Sequence, residues 1–175
     1  VVTMRNPSKV TLTPAQDCSE TMAARSGLPY CAKPDWMTSF LGVPCTAPPW
    51  GTLDTIDLVQ GELLWSVPLG TTAQLAPFPF RSIRGVPAFG GPTLTAAGVI
   101  FIGAAMEHKF RAFDAASGEE LWATKIPAAA HATPMTYKLE PSGKQIVVVA
   151  AGGHWSGLTR PGDALIAYAL PDDPR

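Results

Sequence analysis

Along residues 110–113 the side chains alternate, Phe110 and Ala112 on one side of an extended run and Arg111 and Phe113 on the other, which predicts a strand. Asp114 then opens a turn that Gly118 can close, because glycine takes a positive φ cheaply. The chain becomes extended again at Glu119, and Trp122 lands where a large flat side chain fills the gap between neighbouring sheets. The pattern recurs. Asp57, Gly61, Glu62 and Trp65 repeat the order of Asp114, Gly118, Glu119 and Trp122, and Ala167-Tyr168 align with Ala112-Phe113 to begin a third copy. That copy runs into Pro171, which has no donor for a strand ladder, so its Gly and Trp are missing. Strand-rich units repeated at this interval are the signature of propeller blades.

The apolar runs between the copies supply the remaining strands. Residues 51–69 form the outer hairpin of one blade. Residues 93–95 are the inner strand of the next, 98–103 form a continuous apolar strand expected to be buried on both faces, and 110–113 with 121–126 complete that blade. A further blade starts at 132–137, turns at Pro141-Ser142-Gly143 and continues through 145–151. Pro-rich residues 76–80 link two blades, and their aromatics are expected to cover a blade face. The fold class is therefore all-β, a partial β-propeller of roughly two to three blades. Because a propeller needs about 4–8 blades to close, the chain reads as a piece of a longer protein, with blade edges that would make it adhesive alone.

Residues 1–50 differ from the blades at 51–175. Pro7, Pro14, Pro29, Pro34, Pro44, Pro48 and Pro49 interrupt every long element, which reads as a long connecting segment or a decorated loop. It holds all the cysteines, Cys18, Cys31 and Cys45. The odd number leaves at least one with no internal partner. Cys18 and Cys31 are the most local pair, and a disulfide and free thiols both stay open.

Composition narrows the class. At 46% hydrophobic and 15% charged, the 175 residues exclude a disordered polymer, and 18 Pro with 16 Gly favour short strands over helices. A net charge of −1 without a Lys/Arg run gives no footprint of a nucleic-acid or anionic-membrane binder. No apolar run approaches the about 20 residues of a membrane span, and no signal peptide is evident.

Three polar residues in strand-connecting loops are candidates for chemistry. His154 lies in Gly152-Gly153-His154, directly after a buried strand. The glycines let backbone approach a flat ligand, and imidazole can donate to an anionic or quinonoid oxygen. His131 opens an inner strand, and Glu107 sits in the turn after 98–103, where a carboxylate can orient cofactor or substrate. Each has a plain structural alternative: a loop histidine capping carbonyls, a solvent-facing strand entry, an exposed turn carboxylate. The histidines and cysteines have no zinc-site spacing, and phosphate-loop and nucleophile-elbow motifs are missing.

Residues 75–80 with Gly90-Gly91-Pro92, the repeat at 110–122, His131-Ala132-Thr133-Pro134-Met135-Thr136-Tyr137, Gly152-Gly153-His154 and residues 163–172 together resemble the C-terminal end of membrane-bound quinoprotein dehydrogenases of the glucose/quinate type. The repeat alone is shared by many quinoprotein propellers; the ordered combination is more specific. The resemblance implies an eight-bladed propeller, pyrroloquinoline quinone (PQQ) as cofactor, and a divalent cation held outside this chain. It implies an N-terminal membrane domain that passes electrons to ubiquinone, and oxidation on the periplasmic side of the inner membrane. It makes His154, His131, Thr133 and Gly153 the expected cofactor contacts and Glu107, where relatives carry aspartate, the expected catalytic carboxylate near the substrate. The catalytic base would lie upstream. His131 stands where glutamine is frequent in glucose enzymes, so quinate, shikimate or another cyclic polyol is as credible a substrate as glucose. The competing reading is a non-catalytic propeller scaffold for envelope assembly, which would keep the Trp repeats and lose the cofactor loops.

Overall fold

The computed structural model describes residues 2–4, 8–18, 23–24, 27–40, 43–154 and 159–170. In chain order the strands are β1 (Val2–Met4), β2 (Ser8–Pro14), β3 (Ala23–Ala24), β4 (Tyr30–Trp36), β5 (Gly51–Asp57), β6 (Glu62–Pro68) and β7 (Thr93–Leu94). They continue as β8 (Val99–Ile102), β9 (Lys109–Asp114), β10 (Glu120–Lys125), β11 (Met135–Leu139), β12 (Lys144–Ala151) and β13 (Ala164–Ala169). The chain divides into two compact units, residues 1–5 with 48–175, and residues 6–47.

The larger unit holds three antiparallel sheets, ordered β1-β5-β6, β10-β9-β8-β7 and β11-β12-β13. The first two carry the repeat, and its chemistry explains the hairpins. Asp57 and Asp114 each turn a side-chain oxygen back onto the backbone N–H groups two and three residues ahead, at 2.7 to 3.2 Å. Gly61 and Gly118 then donate to the carbonyls of those same aspartates and complete the turn with φ of 71° and 74°. Ser117 reinforces the second turn, and its backbone N–H is the main reason the Asp114 carboxyl lies below its ordinary pKa.

Two apolar cores hold neighbouring sheets together. Leu53, Leu69, Val86, Ile100, Ile102 and Phe113 form the first, with Trp65 packed against it; Phe110, Ile126, Ala130, Val147 and Val149 form the second, flanked by Phe101 and Tyr168. Burial of this kind contributes roughly 25 cal/mol per Å² of apolar area. Trp65 also donates its indole N–H to the Ala115 carbonyl, 3.0 Å away in the next sheet. A Cβ at Gly118 would come within 2.8 Å of the Trp65 ring, so that glycine serves both its own turn and its neighbour's tryptophan.

The structure changes two expectations, for β8 and for residues 1–50. β8 is not buried on both faces: Ile100 and Ile102 are buried, whereas Val99 and Phe101 line an open groove of about 570 Å³ with Trp122 and Tyr168. β9 alternates as expected, Phe110 entering one core and Phe113 the other, and it is buried along Phe110–Phe113 because a sheet covers each face and Arg111 is neutralised by carboxylates. Residues 1–50 are not one irregular connection, since β1 pairs with β5 in the first blade, Met4 opposite Gly51. Residues 6–47 form their own sheet, β2-β4-β3, despite Pro14 and Pro34 within its strands. Cys18 and Cys31 are disulfide-bonded there and Cys45 is free and exposed.

Candidate cofactor site

The ends of β12 and β10 bring two histidines together. After Ala151 the chain folds back on itself. Gly153, at φ 71°, donates to the Ala129 carbonyl at 2.9 Å, and a Cβ there would lie 2.2 Å from the Arg160 carbonyl oxygen. Only glycine fits this position without displacing backbone. The tight return carries His154 to His131, with ring centroids 5.4 Å apart and planes at 89°.

His131 follows the buried Ala128-Ala129-Ala130 and is itself half-buried. Its Nδ1 lies 3.0 Å from the Ala104 carbonyl, which can only accept, so Nδ1 carries the proton. Nε2 of the neutral ring is then the acceptor for the buried Thr159 hydroxyl at 3.1 Å. Desolvation lowers the His131 pKa from 6.5 and the charge of His154 adds to that, against the opposing hydrogen bond to Ala104.

Phe89 completes the group, 4.9 Å from His154 and 5.5 Å edge-on to His131 between centroids. Its backbone N–H shares the Ala104 carbonyl at 2.9 Å. One carbonyl therefore orients both Phe89 and His131. Gly90 lets this segment run against the His131 backbone, since a Cβ there would come 2.4 Å from the His131 oxygen. Thr133 is exposed, and its hydroxyl is close enough to Gly91 that a Cβ at that glycine would lie 2.9 Å away.

These residues offer what a flat, anionic, oxygen-rich ligand needs: aromatic surface, glycines that admit close approach, an exposed hydroxyl, and a half-buried imidazole at His154. PQQ fits that donor set. The rest of the His154 loop, residues 155–158, lies outside the described residues. Among the described residues no group of three or more His, Cys, Asp and Glu could hold a metal ion.

Glu107 is placed differently from an exposed turn carboxylate. It is fully buried, at 0% exposure, and forms an ion pair with Arg111, which also reaches Glu120 at 2.9 Å. Its other oxygen accepts from the Thr71 N–H and hydroxyl at 3.2 and 3.1 Å. For Glu107 to touch a substrate, this set of contacts would have to open. The segment 104–108 thus works as a brace. Ala104 fixes His131, Met106 donates to the Pro87 carbonyl, Glu107 grips Thr71, and the His108 N–H donates to Gln74.

Of the residues expected from the sequence, the structure brings His131 and His154 together, with Gly153 on the return that joins them and Thr133 beside Gly91; Phe89 and Thr159, which also contact the histidines, were not among those expected. The available signal for Phe89 was an aromatic directly before Gly90-Gly91, the mirror of the histidine directly after Gly152-Gly153. Thr159 had none.

The family described as PQQ glucose/ethanol/alcohol dehydrogenase, β-propeller domain, matches residues 2–147. The chain is 43% identical over 151 residues to the quinoprotein glucose dehydrogenase of Escherichia coli (strain K12), an alignment that takes in 84% of this chain and 19% of that protein. It is 41% identical over 150 residues to the probable quinate dehydrogenase (quinone) of Xanthomonas campestris pv. juglandis, covering 83% and 19%. The solved quinohemoprotein alcohol dehydrogenase from Comamonas testosteroni superposes with a TM-score of 0.56 at 22% identity, over 95% of this chain and 23% of that one, a likeness of fold. The chain spans about a fifth of the length of the curated relatives it matches.

Proposed function

Because the chain belongs to the PQQ β-propeller family of glucose, ethanol and alcohol dehydrogenases, we propose that it forms part of a quinoprotein dehydrogenase that oxidises a sugar or cyclic polyol and passes electrons to ubiquinone. The parent would act at the periplasmic face of the bacterial inner membrane through a membrane domain outside this chain. Identities of 43%, 41% and 39% to glucose, quinate and quinate/shikimate enzymes support a polyol substrate without ranking the three.

Bound PQQ would supply the two-electron quinone chemistry, with a divalent cation and the catalytic base provided by residues outside this chain. His154 would donate a hydrogen bond to a cofactor oxygen, and the Thr133 hydroxyl would supply a second donor at the exposed edge. His131 has its Nδ1 proton committed to Ala104, so it contributes ring surface and holds His154 edge-on. Gly153 keeps the backbone low beside the ligand. Glu107, expected from the sequence to be catalytic, enters as a positioning carboxylate, since its oxygens are engaged with Arg111 and Thr71.

The observation that carries this reading is the convergence of His131, His154 and Phe89 on one loop cluster in a family member. The test is reconstitution of the full-length parent with PQQ and Mg²⁺ or Ca²⁺, measuring dye reduction with glucose, quinate and shikimate. Activity with one of them supports the reading. Lack of saturable PQQ binding would return the chain to the scaffold reading. In the same protein His154→Ala should weaken PQQ binding and leave the unfolding midpoint nearly unchanged, because a half-buried loop side chain removes little packing.

A further inference from the structure

Residues 70–85 form a compact loop whose two ends are tied together. Gly85 donates to the Gly70 carbonyl at 2.8 Å, Val86 to Leu69 at 2.9 Å, and Thr71 bridges to Arg84. Inside, Thr72 is buried and holds the loop through its hydroxyl, which donates to the Phe80 carbonyl and accepts from the Ile83 N–H at 3.2 Å. Leu75 and Ala76 both donate to the Thr72 carbonyl, and Phe80 donates to Pro77. From outside, Glu107 and the His108 N–H pin Thr71 and Gln74 to the neighbouring sheet. Compact loops with joined ends of this kind are frequently functional.

What the loop does with its apolar side chains is the reverse of ordinary burial. Polar and backbone groups fill its interior, while Leu75, Phe78 and Phe80 stand 44%, 86% and 56% exposed. A linking segment expected to cover a blade face instead projects its aromatics outward. Arg81 and Arg84 lie beside them, both exposed, and residues 70–85 contain no Asp or Glu. The chain's overall charge of −1 hides this local cationic balance.

We propose that the tip of this loop is an interfacial contact for an anionic lipid surface, with Phe78, Phe80 and Leu75 entering the headgroup boundary and Arg81 and Arg84 meeting lipid phosphates. Projecting aromatics flanked by arginines, without carboxylates, match that boundary chemically, since aromatic rings favour the interface and cations the anionic leaflet. Two such arginines and three apolar side chains would hold a free protein weakly. A tethered one needs no more, because tethering raises the local concentration of the surface. The inference rests on the proposed reading of the parent as membrane-linked. Glu107 acquires a purpose in it, because the latch on Thr71 holds the loop in the presenting conformation.

The test is amide exchange at residues 76–82 of the full-length parent in nanodiscs of phosphatidylcholine with phosphatidylglycerol, in nanodiscs of phosphatidylcholine alone, and in detergent. Exchange several-fold slower with phosphatidylglycerol, the difference lost in R81Q/R84Q and reduced in F78S/F80S, is the expected result. Equally slow exchange in all three would mean that another part of the parent covers the loop, and equally fast exchange in all three that nothing does; either overturns the proposal. Dye reduction on the same samples keeps the two readings apart. Lost activity with lipid protection intact faults the dehydrogenase reading alone.

Discussion

His131 is kept neutral by where it sits. Desolvation lowers its pKa below 6.5, so at pH values between the folded and unfolded pKa the unfolded chain binds more protons than the folded one. Stability therefore rises with pH through that window, is fully present above about 6.5, and is lost as pH falls below it. Denaturant unfolding of the parent across that range should show this slope, and His131→Gln should flatten it. Glu107 and Arg111 make a second residue-scale case. Removing one partner of a buried ion pair is costly because the other charge remains. Glu107→Ala should cost about 3 kcal/mol, at the low end because Glu120 still faces Arg111, and adding Arg111→Met should recover part of it. Unfolding midpoints of the single and double variants measure both. These residues also mark how far sequence reasoning reaches. The turn that carries His154 to His131 was legible, because Gly152-Gly153 marks a place where backbone can fold back tightly. The burial of Glu107 was not, since nothing local distinguishes a turn carboxylate in water from one whose cation is delivered by the adjoining strand.

At the scale of the elements, the repeat was legible because its residues act locally: the aspartate caps the turn and the glycine supplies the positive φ. What the sequence could not separate is that equivalent glycines meet unequal surroundings. A Cβ at Gly61 would meet nothing within 4 Å, whereas one at Gly118 would press on the Trp65 ring. Gly61→Ala should therefore cost about 1 kcal/mol of backbone strain. Gly118→Ala should cost more, by an amount that shrinks when Trp65→Ala is also present. A double-mutant cycle by chemical denaturation reads that coupling, and equal costs at the two glycines would refute the docking role of Trp65. The burial of β8 was misjudged for a related reason. Period and apolarity describe one strand, but each strand's exposure depends on which neighbouring sheet covers it.

For the molecule as a whole, the blades were legible from their repeats and the character of residues 6–47 was not, because prolines at strand positions mask a small sheet. That unit has its own fastening. Cys18 and Cys31, separated by 13 residues, close a loop whose bridging contributes about 3 kcal/mol in the chain-entropy account. In the parent, C18S/C31S should speed amide exchange at residues 8–36 and leave that of residues 99–151 unchanged. The pairing of Met4 with Gly51 leads further. The chain leaves the first blade and returns to it at facing positions on adjacent strands, so in connectivity the whole excursion is a hairpin loop grown to the size of a small domain. Cutting out residues 6–47 would leave Arg5 joined to Pro48-Pro49-Trp50, a loop short enough for an ordinary hairpin. The parent so trimmed should keep its unfolding midpoint within a few degrees. If it does, this junction is a cassette port, a place where a foreign domain or reporter could be spliced into the propeller with both of its ends anchored on one blade.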